Sequence, residues 1–167
     1  MNIKYTHGFT FLELLIVLAI AAIVTTVAVP GFKTAIDNSE LTSTTNELIG
    51  TLNYARIEAI KRGQPVVLSS SSSTDWSNKN RVWLDNNADN TFNSNDTEIR
   101  IMRASNKNIL LQTNGYDDVT FLASGFVNSA VTFTICHNDT SIVGRQISLM
   151  ISGRINVDSD YNCAQDS

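Results

Sequence analysis

The stretch that decides the fold is Phe9–Val29, which reads FTFLELLIVLAIAAIVTTVAV. Its length matches the roughly 20 apolar residues that a helix needs to cross a bilayer, and Glu13 is its one charged residue. The short polar segment MNIKYTHG precedes it and carries Lys4. A secretory signal has a shorter apolar run that ends in a small-residue cleavage site, whereas here the small residue Gly8 stands before the run. The sequence therefore predicts a membrane-spanning helix over residues 9–30, with the leader in the cytoplasm and the rest of the chain outside.

Glu13 is the unusual residue of this segment. An acidic side chain near the end of a membrane helix costs a few kcal/mol unless it is paired or reaches the interface. Taken alone, the position of Glu13 near the start of the run favours a side chain that extends to the lipid headgroups.

The residues around Glu13 give it a second interpretation. The string Gly8-Phe9-Thr10-Phe11-Leu12-Glu13-Leu14-Leu15-Ile16 resembles the type III signal of type IV prepilins and pseudopilins. The resemblance implies that a prepilin peptidase cleaves after Gly8, removes residues 1–8 as a leader and N-methylates Phe9. It also implies that Glu13, fifth in the mature chain, pairs with the Phe9 amine of a neighbouring subunit in a filament. Such pairing offsets the desolvation of both charges.

A second helical pattern follows Pro30-Gly31 and ends near Arg62. Because proline removes a main-chain hydrogen bond, a kink or local melting is expected at Pro30. Beyond it, buried-type residues recur at alternating steps of four and three, which predicts an amphipathic helix packed on a globular domain. The sequence Arg62–Pro65 then supplies a cation, a glycine stop and a proline. The stripe consists of Leu41, Thr45, Leu48, Leu52, Ala55 and Ala59.

The residues after Pro65 alternate short apolar runs with turn-rich stretches, which predicts β-strands. A helix followed by strands is typical of an α+β domain in which the helix lies on an antiparallel sheet. Residues 31–167 are expected to form this periplasmic globular domain. The expected strands are Val66–Ser69, Arg81–Leu84, Glu98–Arg103, Asn108–Gln112, Val119–Leu122, Val131–Cys136, Arg145–Ile151 and Arg154–Val157.

Motifs along the whole chain resemble the GspH/FimT family, which includes the minor pseudopilin H of type II secretion and the minor pilins FimU and FimT. They are Leu41–Leu48, Tyr54–Ala59, Val82–Asp85, Phe133–Cys136 and Ser152–Ile155. The resemblance implies a structural subunit of a type II secretion pseudopilus or a type IV pilus, assembled near the filament tip. It also implies a single-pass inner-membrane protein whose partners are other pilins or pseudopilins, the prepilin peptidase and the inner-membrane assembly platform. The residues do not separate the two machines.

The two cysteines, Cys136 and Cys163, are too few for a structural zinc site, which normally takes four ligands. In a cytosolic domain they would be free thiols, and in an exported domain they would form a disulfide. The export predicted by the N-terminal helix favours a disulfide that ties the acidic tail to a strand.

An Asp/Asn-rich segment, residues 85–96, has two interpretations. Oxygen ligands stand at the spacing of a calcium loop, although position six is Asn90 rather than glycine and the flanking residues are expected strands. The favoured interpretation is a long hairpin loop in which Asn and Asp make turn hydrogen bonds. The calcium candidates are Asp85, Asn87, Asp89, Asn93 and Asp96.

DNA binding is the alternative function. The chain has a net charge of −4, which opposes a general affinity for nucleic acid. The FimT branch of the family is associated with DNA uptake through a Gly-Arg-x-Arg motif. The matching Gly153–Asn156 lacks the second arginine, and no Lys or Arg follows it. Arg145 and Arg154 are the candidate phosphate contacts of a DNA-binding minor pilin for natural transformation.

Catalytic signatures are missing from the sequence. His7 lies in the leader and His137 is expected on the surface, and there is no Ser/His/Asp set or phosphate-binding glycine loop. The sequence predicts neither an enzyme nor a cofactor.

Overall fold

The computed structural model describes residues 9–72, 74–87 and 89–163. The chain divides into two compact units, Met1–Ile36 and Asp37–Ser167. Helix α1, Phe11–Arg62, contributes residues to both of them.

In the first unit, the described residues belong almost entirely to α1, and the large apolar side chains from Phe9 to Val24 are exposed. The helix continues through Pro30 and Gly31. The expectation of local melting at Pro30 is therefore wrong for the single chain. A proline removes one hydrogen bond of the helix, and the turns on either side are long enough to remain helical without it.

In the second unit, α1 buries the stripe that the sequence predicts. Leu41, Leu48 and Leu52 have no exposed surface, and the other members of the stripe are buried with them. The helix ends as expected at Gly63, which adopts the left-handed conformation (φ 66°) and donates its amide to the Ala59 carbonyl.

Within the described residues, eight strands follow the helix, and each overlaps one of the expected strands. The C-terminal ends of the last two strands differ most from the expected bounds. The seventh strand stops before the Met150–Gly153 turn, and the eighth continues past Val157 into polar residues. The strands are β1 Val66–Ser70, β2 Asn80–Leu84, β3 Thr97–Met102, β4 Ile109–Thr113, β5 Asp118–Phe121, β6 Val131–His137, β7 Gly144–Leu149 and β8 Ile155–Tyr161.

The strands form two antiparallel sheets rather than the single sheet expected. One sheet has the order β3-β2-β1-β5 and the other the order β4-β6-β7-β8. The difference arises because β5 returns to β1 while β4 pairs with β6. Strand patterning indicates which face of a strand is buried, but it does not specify pairings between strands distant in sequence.

Helix α1 and both sheets share one hydrophobic core. Trp76, in the β1–β2 connection, packs edge-to-face against Phe133 of β6 with ring centroids 5.1 Å apart. Its amide and indole nitrogens donate to the carbonyls of Leu111 and Tyr116. Trp76 thereby connects the β1–β2 loop of the first sheet to strands β4 and β6 of the second sheet.

Candidate functional site

Glu13 takes part in capping the N-terminus of α1. Its carboxylate accepts hydrogen bonds from the Thr10 amide (2.9 Å) and hydroxyl (3.0 Å), and the Thr10 hydroxyl in turn accepts from the Glu13 amide (3.2 Å). This is a capping box, in which Thr10 is the N-cap residue and Glu13 the third helical residue. The Thr-x-x-Glu spacing is visible in the sequence and could have predicted it.

The helix behind Glu13 is a candidate membrane span. It is long and apolar enough to cross a bilayer, and its most apolar stretch is not buried within the protein. Phe9 is 88% exposed and Phe11 77%. Gly8, the other residue of the expected cleavage site, lies outside the described residues.

The Asp/Asn-rich segment forms the connection between β2 and β3, and its carboxylates accept hydrogen bonds from the loop itself. Asp85 accepts from the amides of Asp89 and Asn90. Asp89 accepts from the Thr91 amide and from the side chains of Asn87 and Asn93.

Asp96, the last calcium candidate, accepts from the amides of Asn86 and Asn93. Asn90 adopts a left-handed conformation, φ 57°. Such hydrogen bonds are the ones expected if the segment is a hairpin loop with Asn and Asp turns.

The two arginines of the DNA-binding alternative have different environments. Arg145 donates through Nη1 to the carbonyls of Val143, Gly144 and Ser159, so its guanidinium ties β7 to β8. Arg154 is exposed beside the β7–β8 turn. The structure therefore gives partly buried Arg145 hydrogen-bond partners within the fold, whereas Arg154 is exposed.

The structure joins Cys136 to Cys163 by a disulfide. The bond ties the end of β6 to the segment that follows β8. Gly144 is buried beside it, and a β-carbon at this position would collide with the Cys163 sulfur. Gly144 was not among the residues expected to matter, although the sequence places it just before the predicted strand Arg145–Ile151.

His137 is buried, with only 7% of its surface exposed, so the expectation that it lies on the surface is wrong. It is the last residue of β6 and pairs in register with Ile109 of β4. The burial follows from the strand, whose alternate residues all point into the core.

Two carboxylates of α1 face His137. Asp37 is buried, Glu40 is partly buried, and one ligand atom of each of the three residues lies within 4.8 Å of the others. Asp37 and Glu40 share a helix face because they are at positions i and i+3. Asn106 donates its side-chain amide to Glu40 at 2.9 Å. Sequence reasoning missed this cluster because Glu40 and Asp37 lie 97 and 100 residues before His137.

Comparison with known proteins identifies the family. The family model "Type II transport protein GspH" matches residues 44–153, which is more than half of the chain. The chain belongs to the GspH family. A model of the prokaryotic N-terminal methylation motif also matches this GspH-family chain, over residues 3–29. No curated protein matches it.

Solved structures share the fold. The type IV minor pilin FimU of Pseudomonas aeruginosa has a TM-score of 0.60 at 24% identity, covering 72% of this chain and 90% of its own. The minor pseudopilin EpsH from the type 2 secretion system of Vibrio cholerae has a TM-score of 0.54 at 15% identity, covering 72% and 97%. These likenesses confirm the expected α+β pilin-like fold. The family-model match confirms the resemblance to the GspH/FimT family.

Proposed function

We propose that this chain is a minor subunit of a type II secretion pseudopilus or a type IV pilus, matured by cleavage between Gly8 and Phe9. One observation carries the proposal: Glu13 is the single acidic residue at the start of an exposed apolar helix. It stands fifth after the expected cleavage point. The match to the N-terminal methylation motif supports the same processing step.

The capping box explains how Glu13 is tolerated before assembly. In the single subunit, the Thr10 amide and hydroxyl provide the hydrogen bonds that the carboxylate requires. Cleavage after Gly8 creates a positively charged amine at Phe9, next to Thr10 in the chain. In the filament, the Glu13 carboxylate exchanges water and headgroup contacts for the Phe9 amine of a neighbour. This ion pair is favourable only where the surroundings are dry and the neighbour is in register.

Localisation follows from the same helix. The leader stays in the cytoplasm, the apolar half of α1 spans the inner membrane, and the globular domain lies in the periplasm. The prepilin peptidase and the assembly platform act on the membrane-bound form. The proposed position near the filament tip rests on the resemblance to minor subunits, since FimU is a minor pilin and EpsH a minor pseudopilin.

The globular domain offers a face for partner subunits. Ile57 and Ile60 on α1 and Phe126 and Ile151 on neighbouring turns are large apolar side chains that remain exposed. Gly125, next to Phe126, approaches Ile60 closely, which places the helix and this turn side by side. Exposed apolar residues grouped in this way are typical of protein–protein contacts.

The DNA-binding alternative has weaker support. Arg145 is engaged by main-chain carbonyls, and β8 carries Asp158 and Asp160 close to Arg154 in sequence. Clustered cations are needed for phosphate binding. Salt-sensitive retardation of duplex DNA by the purified chain, lost in Arg154→Ala, would restore the alternative, and no retardation at low salt would remove it.

Processing gives the most direct test of the proposed function. The wild-type chain, expressed with a prepilin peptidase, should yield a mature form whose N-terminal peptide begins with N-methylated Phe9 in mass spectrometry. Gly8→Ala should leave the full-length precursor in the membrane, while Gly31→Ala is the matched control and should be processed normally. A wild-type chain that keeps residues 1–8 would contradict the proposal.

A further inference from the structure

We propose that Asp37, Glu40 and His137 form a binding site for a divalent transition-metal ion, for which zinc is the best match. The three side chains come from helix α1 and from the end of β6, and their ligand atoms converge to within 4.8 Å. A carboxylate–carboxylate–imidazole set is a normal zinc environment. The site is independent of the proposed role in assembly.

The spacing of the ligand atoms favours a metal over a hydrogen bond. Nε2 of His137 lies 3.7 Å from Oδ1 of Asp37. A hydrogen bond between nitrogen and oxygen needs 2.7–3.2 Å, so this pair is too far apart to make one. Two zinc ligands at about 2.0–2.1 Å in tetrahedral geometry lie roughly 3.4 Å apart. Small side-chain movements therefore bring this pair to the separation of metal ligands.

Two buried atoms of the cluster have no hydrogen-bond partner. These are Nε2 of His137 and Oε2 of Glu40. His137 is more than nine-tenths buried, and its Nε2 faces the two carboxylates. Buried polar atoms are nearly always satisfied in folded proteins. A single ion between the three residues coordinates Oε2 of Glu40 and, once the Nε2 proton has left, Nε2 of His137 as well.

The charge of the cluster also favours a cation. Asp37 and Glu40 place two carboxylates close together in a largely buried position, and the imidazole beside them carries no charge in its neutral form. Within the described part of the chain, no Lys or Arg nitrogen lies within 4.0 Å of either carboxylate. Buried carboxylates are normally paired or coordinate metals. A divalent ion neutralises this pair.

The surroundings hold two of the ligands in place. Asn106 donates to Oε1 of Glu40, which leaves Oε2 for the ion. The Asp139 amide lies 2.9 Å from Nδ1 of His137 and fixes the plane of the ring. Glu40 is only partly buried, so the ion can enter from solvent. The Asn106 bond to Glu40 is an outer contact of the kind that orients ligating carboxylates in known sites.

The Asp139 amide also limits the affinity. In the metal-free protein it donates to Nδ1, so the ring proton is on Nε2. Metal at Nε2 displaces this proton, which leaves the ring or moves to Nδ1 at the cost of the amide hydrogen bond. Loss of one hydrogen bond lowers affinity by roughly tenfold. We therefore expect a Kd about tenfold weaker than that of a site whose histidine ring needs no such rearrangement.

The test uses the tag-free full-length chain in detergent, carrying His7→Ala so that His137 is the one histidine left. After removal of metals with EDTA, zinc chloride is titrated by calorimetry and the melting temperature is followed by circular dichroism. We expect one zinc per chain and a rise in Tm of about 5–10 °C when free zinc is a hundredfold above Kd. Magnesium at the same concentration should give no comparable rise.

Three variants separate the site from general effects on folding. His137→Gln should weaken zinc binding at least about tenfold. Glu40→Gln keeps the oxygen that accepts from Asn106 but removes the charge, so in EDTA it should melt no lower than the parent while losing the zinc response. Glu47→Gln, an exposed acid on the same helix, is the matched control and should respond to zinc like the parent.

Two results would overturn the proposal. One is the absence of zinc binding by the parent chain at millimolar concentration. The other is an unchanged zinc response in both His137→Gln and Glu40→Gln, which would place the ion elsewhere.

Discussion

The guanidinium of Arg56 donates to the main-chain carbonyl of Gly153 at 3.0 Å, and this contact fastens helix α1 to the β7–β8 turn. A second bond runs from Arg56 to the carbonyl of Ser152 at 3.1 Å. Both residues belong to the motifs through which the sequence resembles its family. The contact gives a physical reason for those motifs, since the planar guanidinium of Arg56 donates to two adjacent carbonyls of the turn.

Replacement of Arg56 should therefore destabilise the globular domain. Arg56→Met keeps the apolar stem but removes both hydrogen bonds, and the free energy of unfolding should fall by about 2 kcal/mol. Urea denaturation of the chain in detergent measures the change. Lys107→Met, which removes an exposed cation from a loop, is the control and should change stability by less than about 0.5 kcal/mol. Equal stability of the two variants would show that the Arg56 contact contributes nothing.

Gly153 should tolerate no side chain. It has a φ of 75°, and a β-carbon there would collide with the Gly125 carbonyl and with the Arg56 guanidinium. Gly115 is the matched control because it also has a positive φ (104°) but has open space around it. Both alanine variants carry the backbone strain of about 1–2 kcal/mol. Thermal melts should show a clearly larger loss of Tm for Gly153→Ala, and similar losses would argue against the collision.

The disulfide between Cys136 and Cys163 should stabilise the C-terminal segment. It closes a loop with a sequence separation of 27 residues, which corresponds to about 3 kcal/mol in the chain-entropy account. The double variant Cys136→Ser, Cys163→Ser should melt at a lower temperature than the oxidised parent. The reduced parent should melt close to the variant. A parent whose Tm does not respond to reductant would indicate that the two thiols are unpaired in the purified protein.

Asp118 should make the folded state less stable as the pH rises. Burial raises the pKa of its carboxyl above the ordinary value, against a smaller lowering by the hydrogen bond from Thr120, and the neighbouring Asp117 raises it further. The protonated form is thus favoured in the folded protein. Its contribution to stability is complete below the ordinary pKa and is lost as the pH passes through the raised value.

Asp118→Asn should accordingly raise Tm at pH 7 and have a smaller effect at pH 3. Thermal melts across this range measure the difference between the variant and the parent. Asp158→Asn on β8, an exposed position, is the control and should show no such trend. A pH-independent effect of Asp118→Asn would contradict the desolvation argument.

The sequence predicts the features that depend on local patterns. The stripe from Leu41 to Ala59 is buried as its spacing requires, and Gly63 ends the helix in the conformation that favours glycine. The expected strands are present because alternation of apolar and polar residues is itself local. The end of the eighth strand is the exception. Residues Asp158–Tyr161 belong to this edge strand, but their sequence lacks the alternating apolar residues that predict a strand.

What the sequence does not predict depends on contacts between distant residues. The division into two sheets follows from β5 pairing with β1, and the burial of His137 beside Asp37 follows from the packing of β6 near α1. Arg145 illustrates the same limit for function. In the sequence it is a candidate phosphate contact, but in the fold it binds the Ser159 carbonyl of the adjacent strand.

The central claim is that the charge of Glu13, and not only its capping of α1, drives assembly. Glu13→Gln separates the two roles, because glutamine at this position can still cap through the Thr10 amide but carries no charge. Thr10→Ser, which keeps both the cap and the charge, is the control.

The decisive measurement is the amount of each processed variant in sheared, purified filaments relative to the amount in the membrane. We expect Glu13→Gln to be processed and membrane-bound but reduced at least about tenfold in filaments, and Thr10→Ser to be incorporated like the parent. Incorporation of Glu13→Gln at the parent level would contradict this expectation.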